Sequence, residues 1–243
     1  MILRSALFNI LFLAWSAAVS LTLWPALLLP GRDLFWITRL WASVVIFLLR
    51  HLVGLGYEVR GIEHLPRGPA VLASKHQSAW DTAIFFLLLR NPAYVLKAEL
   101  LMIPIIGWYL MRVGMIAIDR QGGARALKGM LAAARRAVSA GRPIVIFPEG
   151  TRTAPGDRKP YHPGTAALYA HLGLPVVPVA LNSGLYWGRR HFVKRPGRIV
   201  IEFLPAIAPG LDRYAFASEL ERRTEDAVAR LIEEAKRQTE SSR

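Results

Sequence analysis

The first part of the chain contains a long segment without charged residues. Residues 5–30 carry no Asp, Glu, Lys or Arg, and about 20 consecutive apolar residues are enough to span a bilayer. A cleavable signal peptide is the alternative, with Arg4 before the apolar run and Ala18-Val19-Ser20 as the cleavage site. The run continues to Leu29, however, beyond the roughly 7–15 residues of a removable apolar region. The segment therefore predicts a membrane element that is retained.

A second apolar segment, residues 33–49, follows a predicted turn at Pro30-Gly31. With about 100° of rotation per residue, Arg32, Arg39 and Arg50 would lie within about 20° of one another on a helix. A single basic stripe on an apolar helix is typical of a helix at the membrane interface. We therefore expect a helical hairpin in one leaflet, with residues 1–52 as the membrane anchor. Two full spans and a pair of core helices are the alternatives.

The net charge of +14 predicts an anionic partner or surface. Nucleic acid is the usual partner of so basic a chain, but the sequence has no nucleic-acid-binding motif. The apolar N-terminus favours anionic lipid, which attracts each nearby cation by about 1 kcal/mol. The basic cluster Arg189–Arg195 is expected to contact lipid headgroups, with a solvated loop as the alternative. The sequence has no cysteine, which excludes disulfides, a thiolate nucleophile and cysteine-ligated metals.

Residues 53–243 alternate short apolar runs with helical stretches, which predicts an α/β domain. Several runs, such as Ile144–Phe147, are continuously apolar, as expected for strands buried on both faces. We expect a largely parallel or mixed central sheet flanked by helices. The predicted strands are residues 57–61, 70–74, 94–96, 115–118, 144–147, 176–181 and 198–203. The predicted helices are residues 79–90, 101–112, 123–140, 164–172 and 214–238.

The segment from His76 to Asp81 combines a potential base with a carboxylate. On one helix the two side chains would point about 140° apart. Ser78 is a good N-cap, and Ser78-x-x-Asp81 resembles a capping box. A helix that begins at Ala79 would leave His76 in the preceding loop, where Asp81 could reach one imidazole nitrogen and fix the tautomer. The adjacent Lys75 would favour a neutral imidazole. The alternative is that Asp81 only caps the helix.

The segment Phe147–Arg152 follows a predicted buried strand, at the strand end where α/β sheets place ligands. Gly150 permits an unusual backbone angle, and Arg152 could present its planar guanidinium to a phosphate. The alternative is a salt bridge within the loop between Glu149 and Arg152.

Two further cations, Lys97 and Arg120, end other predicted strands and could reach the same edge of the sheet. Other catalytic arrangements are not indicated. The chain has no G-x-S-x-G nucleophile motif and no H-E-x-x-H metal-ligand spacing.

Five blocks of the sequence resemble the glycerolipid acyltransferases, in the order of that family, and most closely the bacterial 1-acyl-sn-glycerol-3-phosphate acyltransferases. The segment from His76 to Asp81 resembles the family's H-x4-D motif, and Phe147–Arg152 resembles its F-P-E-G-T-R block. The other three blocks are Lys97–Leu100 (K-x-E-L), Gly114–Arg120 (a strand that ends in I-D-R) and Val176–Ala180 (V-P-V-A).

The resemblance implies a reaction and a role for each residue. The enzyme would transfer an acyl group to the 2-hydroxyl of lysophosphatidate and give phosphatidate. His76 would be the general base, and Asp81 would orient it. The implied phosphate-binding residues are Lys97, Arg120 and Arg152. The residues implied to shape the substrate pocket are Glu149, Gly150 and Thr151.

The resemblance also implies partners and a location. The acyl donor would be acyl-CoA or an acyl-carrier protein, with no cofactor and no metal. The enzyme would lie on the inner (cytoplasmic) membrane among anionic lipids, with its catalytic domain (residues 53–243) facing the cytoplasm. The alternatives are another lyso-lipid acceptor, such as lyso-ornithine lipid, or a non-catalytic lipid-binding protein.

Overall fold

Two apolar helices form the N-terminal part of the computed structural model, which describes residues 1–22, 24–28, 34–119 and 121–241. Helix α1 spans Ile2–Thr22, and α2 spans Phe35–Leu48 and continues as a π-helical turn to Val53. The indole Nε1 of Trp41 on α2 donates a hydrogen bond to Ser16 Oγ on α1 at 3.0 Å, so the two helices contact each other directly. The predicted turn at Pro30-Gly31 lies outside the described residues.

Both N-terminal helices have the length and composition of a membrane span. The two candidate segments are Ile2–Thr22 and Phe35–Val53. In the most apolar 18 residues of each segment, 17% and 33% of the residues are buried. Core helices and signal sequences also meet this criterion, so it is weak evidence for membrane association. Arg39 and Arg50 of the predicted basic stripe are exposed, whereas Arg32 lies outside the described residues.

The central sheet has seven strands in the order β1-β7-β6-β2-β5-β3-β4. All neighbouring pairs are parallel except β6 and β7, which are antiparallel. This confirms the predicted mixed sheet, with strand limits that differ by one or two residues. The strands are β1 (Leu55–Arg60), β2 (Val71–Ser74), β3 (Ala93–Lys97), β4 (Ile116–Ile118), β5 (Ile144–Ile146), β6 (Val176–Leu181) and β7 (Gly197–Phe203).

Five helices connect or follow these strands: α3 (Trp80–Leu88), α4 (Ile106–Arg112), α5 (Gly123–Ser139), α6 (Pro163–Leu172) and α7 (Arg213–Ser241). The predicted single helix over residues 101–112 is wrong. A 3₁₀ helix ends at Met102, and α4 begins only at Ile106. Pro104 lies between them and has no N–H to donate, and Ile105 adopts a positive φ of 65°, so a continuous α-helix is interrupted there.

The two faces of the sheet pack against different helices. Successive strand residues point to opposite faces, as Val71 and Leu72 illustrate. Leu72 belongs to an apolar cluster with α1, α2 and α3, and Val71 belongs to a second cluster with α5, α6 and the start of α7. Phe35 of α2 contacts Phe86 of α3, with ring centroids 6.0 Å apart. The N-terminal helices therefore share a core with the sheet.

Candidate active site

The parallel strands bring most of the predicted site residues to one edge of the sheet. His76 follows the end of β2, and Phe147–Arg152 follows β5. Lys97 is the last residue of β3, next to β5. Because the carboxyl ends of parallel strands meet at the same edge, this edge is where such a fold places its ligands. Arg120, which follows β4 in the sequence, lies outside the described residues.

The loop after β2 brings the imidazole of His76 to the carboxylate of Asp81. His76 Nδ1 and Asp81 Oδ2 are 3.0 Å apart. One half of the predicted capping box is present, because Ser78 N–H donates to Asp81 Oδ2 at 2.8 Å. Ser78 Oγ accepts from the N–H of Trp80 at 3.1 Å, and the N-cap of the helix is Ala79 and not Ser78. Helix α3 begins one residue later than predicted. The cap and the His–Asp contact therefore use the same carboxylate.

Two more donors hold the Asp81 carboxylate, which is fully buried. The backbone N–H of Gln77 donates to Oδ2 at 2.7 Å, and the hydroxyl of Ser183 donates to Oδ1 at 2.5 Å. An ionised carboxylate can only accept hydrogen bonds, so His76 Nδ1 carries the proton and Nε2 has a free lone pair. In this tautomer the imidazole can accept a proton at Nε2. No sequence signal pointed to Ser183, which lies 102 residues from its partner.

The imidazole of His76 stacks on the ring of Phe147, with centroids 4.0 Å apart and an interplanar angle of 19°. The two loops are also joined through the backbone. His76 N–H donates to Glu149 Oε2 at 3.2 Å, and Thr153 N–H donates to the carbonyl of His76 at 2.8 Å. The segment Phe147–Arg152 therefore holds His76 directly.

Glu149 takes part in a buried ion cluster that the sequence did not indicate. The ammonium of Lys75 lies 2.8 Å from Glu149 Oε1 and 2.7 Å from Glu225 Oε1 on α7. The hydroxyl of Tyr161 donates to the same oxygen of Glu225 at 3.1 Å. Glu149 thus pairs with Lys75 and not with Arg152. Two carboxylates therefore surround the ammonium group of Lys75.

His76 lines a cavity with a volume of about 720 Å³. This volume is within the range of small-molecule sites. It lies between the N-terminal helices and the sheet. Lys97, Gly150, Thr151 and Arg152 all line it. Gly150 adopts the unusual backbone angle that glycine permits, with a φ of 63°. The rest of the lining is mostly apolar and includes residues of α1, α2, β3 and α4: Phe12, Val19, Ile37, Trp41, Leu96 and Tyr109.

The charges around Arg152 set its electrostatic environment. Burial lowers the pKa of Arg152, Arg189 and Arg190 lower it further, and Asp81 raises it. Arg189 lines the cavity as well, although its sequence cluster was expected only to contact headgroups. Within that cluster Lys194 is buried, so it is not available to lipid headgroups.

Tyr94 also lines the cavity, but burial and then the charge of Asp81 raise the pKa of its hydroxyl well above the ordinary value. Its hydroxyl donates to the carbonyl of Thr82 at 2.7 Å, so Tyr94 is not an alternative base. The ranges that the structure describes contain no group of three or more His, Asp or Glu side chains that could hold a metal ion.

The sequence of this chain matches a known protein family. The acyltransferase family model matches residues 56–182. A 1-acyl-sn-glycerol-3-phosphate acyltransferase of Pseudomonas aeruginosa is 38% identical over 236 residues, which cover 96% of this chain and 91% of that protein. A protein of the same name from Limnanthes alba is 30% identical over 80% of this chain and 68% of its own length.

A solved structure has a similar fold. The crystal structure of the 1-acyl-sn-glycerophosphate acyltransferase PlsC from Thermotoga maritima matches with a TM-score of 0.77, over 96% of this chain and 98% of that chain. Its sequence identity is 19%, so this match supports the fold alone. The family model and the Pseudomonas relative confirm the resemblance read from the five sequence blocks. This chain belongs to the acyltransferase family.

Proposed function

We propose that the enzyme transfers an acyl group from a thioester to the 2-hydroxyl of 1-acylglycerol-3-phosphate and gives phosphatidate. One observation carries the proposal. His76, held by Asp81, lines a cavity that also has cationic side chains and a mostly apolar lining. The names of the relatives in Pseudomonas and Limnanthes support the same acceptor.

His76 acts as the general base and Asp81 as its positioning residue. Nε2 takes the proton of the acceptor hydroxyl while that oxygen attacks the thioester carbonyl carbon. Asp81 stabilises the imidazolium that results. The carbon–sulfur bond then breaks, and the leaving thiolate takes the proton from Nε2. The transfer is direct, with no acyl-enzyme intermediate.

The charged and apolar parts of the cavity receive different parts of the substrates. Arg152 and Lys97 bind the acceptor phosphate, with Arg120 as a third predicted contact. Gly150 and Thr151 line the pocket, and Glu149 supports it through Lys75 and the backbone of His76. The apolar wall formed by α1 and α2 accommodates an acyl chain, because burial of each methylene contributes about 0.8 kcal/mol.

The N-terminal helices embed the enzyme in a membrane, and residues 53–243 carry the chemistry. Most of both helices is not buried, and an exposed apolar face of that length fits lipid. The net charge of +14 favours an anionic leaflet. A donor carried by coenzyme A or an acyl-carrier protein is cytoplasmic, so the active site faces the cytoplasm at the inner membrane.

The test compares His76→Ala with His171→Ala in purified, detergent-solubilised enzyme. Each variant receives lysophosphatidate and other lyso-lipids, with acyl-CoA or acyl-carrier protein as donor. We expect the wild type to form phosphatidate, and we expect His76→Ala to lower kcat by about 10³-fold or more. His171 is exposed on α6 and does not line the cavity, so His171→Ala retains activity. Full activity of His76→Ala would refute the mechanism, and a wild type that accepts only another lyso-lipid would refute the acceptor.

A further inference from the structure

Arg189 lies at the active-site cavity although none of the five sequence blocks contains it. It belongs to the loop between β6 and β7 and lines the same cavity as His76 and Arg152. Its charge acts on Arg152, whose pKa it lowers after the larger effect of burial. Two guanidinium groups therefore line the same cavity, and their charges interact.

No carboxylate compensates these two cations. In the part of the chain that the structure describes, neither Arg152 nor Arg189 forms an ion pair with an Asp or Glu side chain. The charge of Asp81 acts on Arg152, but the Asp81 oxygens already accept four hydrogen bonds. Two close cations without a counter-charge form a site for an anion, and guanidinium groups match the geometry of a phosphate.

The loop that carries Arg189 is fixed by contacts with helix α1. Lys194 N–H donates to Ser5 Oγ at 3.0 Å, and Asn9 Nδ2 donates to the carbonyl of Phe192 at 3.2 Å. The ammonium of Lys194 donates to Asn9 Oδ1 and to the carbonyl of Phe192. The contacts between this loop and α1 join residues that are 183 to 189 positions apart in the sequence.

Aromatic packing strengthens the same connection. Trp187 is buried and packs edge-on against Phe8 of α1, with centroids 5.3 Å apart. The ammonium of Lys194 lies 5.3 Å from the centroid of the Trp187 ring and 5.6 Å from that of Phe8. Arg190 has a positive φ of 61°, which costs free energy in a residue other than glycine and persists where the surroundings enforce it. The loop is thus held on both sides of Arg189, whose own side chain is exposed.

We propose that Arg189 binds a substrate phosphate beside Arg152, and that Lys194 is a positioning residue that ties its loop to α1. This inference rests on the function proposed above and adds a residue to it. The phosphate belongs either to the lysophosphatidate acceptor or to the coenzyme A of the donor. A phosphate held by two guanidinium groups discriminates strongly against an acceptor that lacks it.

The experiment measures kcat and KM for both substrates of wild type, Arg189→Gln and the control Arg213→Gln. Arg213 is exposed at the start of α7 and lines no part of the cavity. Assays in neutral-detergent micelles remove the attraction of cations to anionic lipid. Loss of a charged hydrogen bond predicts a rise in KM of about 10- to 100-fold for one substrate, with kcat nearly unchanged.

The substrate whose KM rises identifies the source of the phosphate. A rise for lysophosphatidate alone assigns the acceptor, and a rise for acyl-CoA alone assigns the donor; either result supports the contact. An unchanged KM for both substrates, or a fall in kcat alone, overturns it. If the wild type does not acylate lysophosphatidate, the proposed function fails. If the wild type is active and Arg189→Gln behaves like it, only the inference about Arg189 fails.

Lys194→Met tests the positioning role. We expect the same KM to rise by a smaller factor in this variant, and the double variant Lys194→Met/Arg189→Gln to match Arg189→Gln alone, because the two residues act through one contact. A purely structural role would reduce the folded fraction and hence kcat, leave KM unchanged, and add to the effect of Arg189→Gln. The thermal unfolding midpoint of each variant separates these cases.

Discussion

Replacement of Lys75 by Met should strongly destabilise the protein. The Lys75 side chain is 1% exposed, and its two partners, Glu149 and Glu225, are 0% and 5% exposed. Met keeps most of the apolar stem but removes the cation, which leaves two buried carboxylates without compensation. Removal of one partner from a buried ion pair costs about 3–5 kcal/mol. At about 2–4 °C per kcal/mol for a domain of 150–250 residues, the unfolding midpoint falls by about 6–20 °C.

The assay is thermal unfolding of purified protein in detergent, followed by tryptophan fluorescence. The control is Lys128→Met on α5, where the side chain is exposed and the change in free energy should stay within about 0.5 kcal/mol. Glu225→Gln should cost less than Lys75→Met, because Lys75 keeps Glu149 and the remaining pair is balanced in charge. A loss below about 1 kcal/mol for Lys75→Met, or a larger loss for Glu225→Gln, would refute this account of the cluster.

Two further predictions concern the active site. Asp81→Asn should lower kcat by about 10³- to 10⁴-fold, since a neutral amide no longer fixes the His76 tautomer or stabilises the imidazolium. Steady-state kinetics measure this loss, with the surface variant Asp212→Asn as the control. A loss below 10-fold would contradict the positioning role of Asp81. Arg152→Ala should raise KM for lysophosphatidate by about 10-fold or more with a smaller change in kcat. An unchanged KM in the same assay, with Arg158→Ala as control, would argue against a phosphate contact.

The features that the sequence predicted well are local. All seven strands are continuous or alternating apolar runs. A continuous apolar run such as Val176–Leu181 predicts a strand that is buried on both faces, as the structure has it. The contact between His76 and Asp81 followed from a capping pattern within six residues. The interruption at Pro104 could also have been read from the sequence, because proline disfavours the helical conformation in the residue before it.

The features that sequence reasoning missed depend on contacts between distant segments. Glu225 is 150 residues from Lys75, and Ser183 is 102 residues from Asp81. Neither residue belongs to a motif, and a buried ion pair has no periodicity that would reveal it. Arg189 was recognised as part of a basic cluster, but only the folded loop shows that it faces the cavity while Lys194 is buried.

The packing of the N-terminal helices has a practical consequence for work on the isolated protein. A shortened chain that begins at residue 53 would lose one wall of the cavity, which α1 and α2 provide. It would also uncover Phe86 and Trp187, which Phe35 and Phe8 now cover, and contiguous exposed apolar surface promotes aggregation. Removal of the apolar helices to obtain a soluble fragment would thus remove side chains that line the proposed substrate cavity.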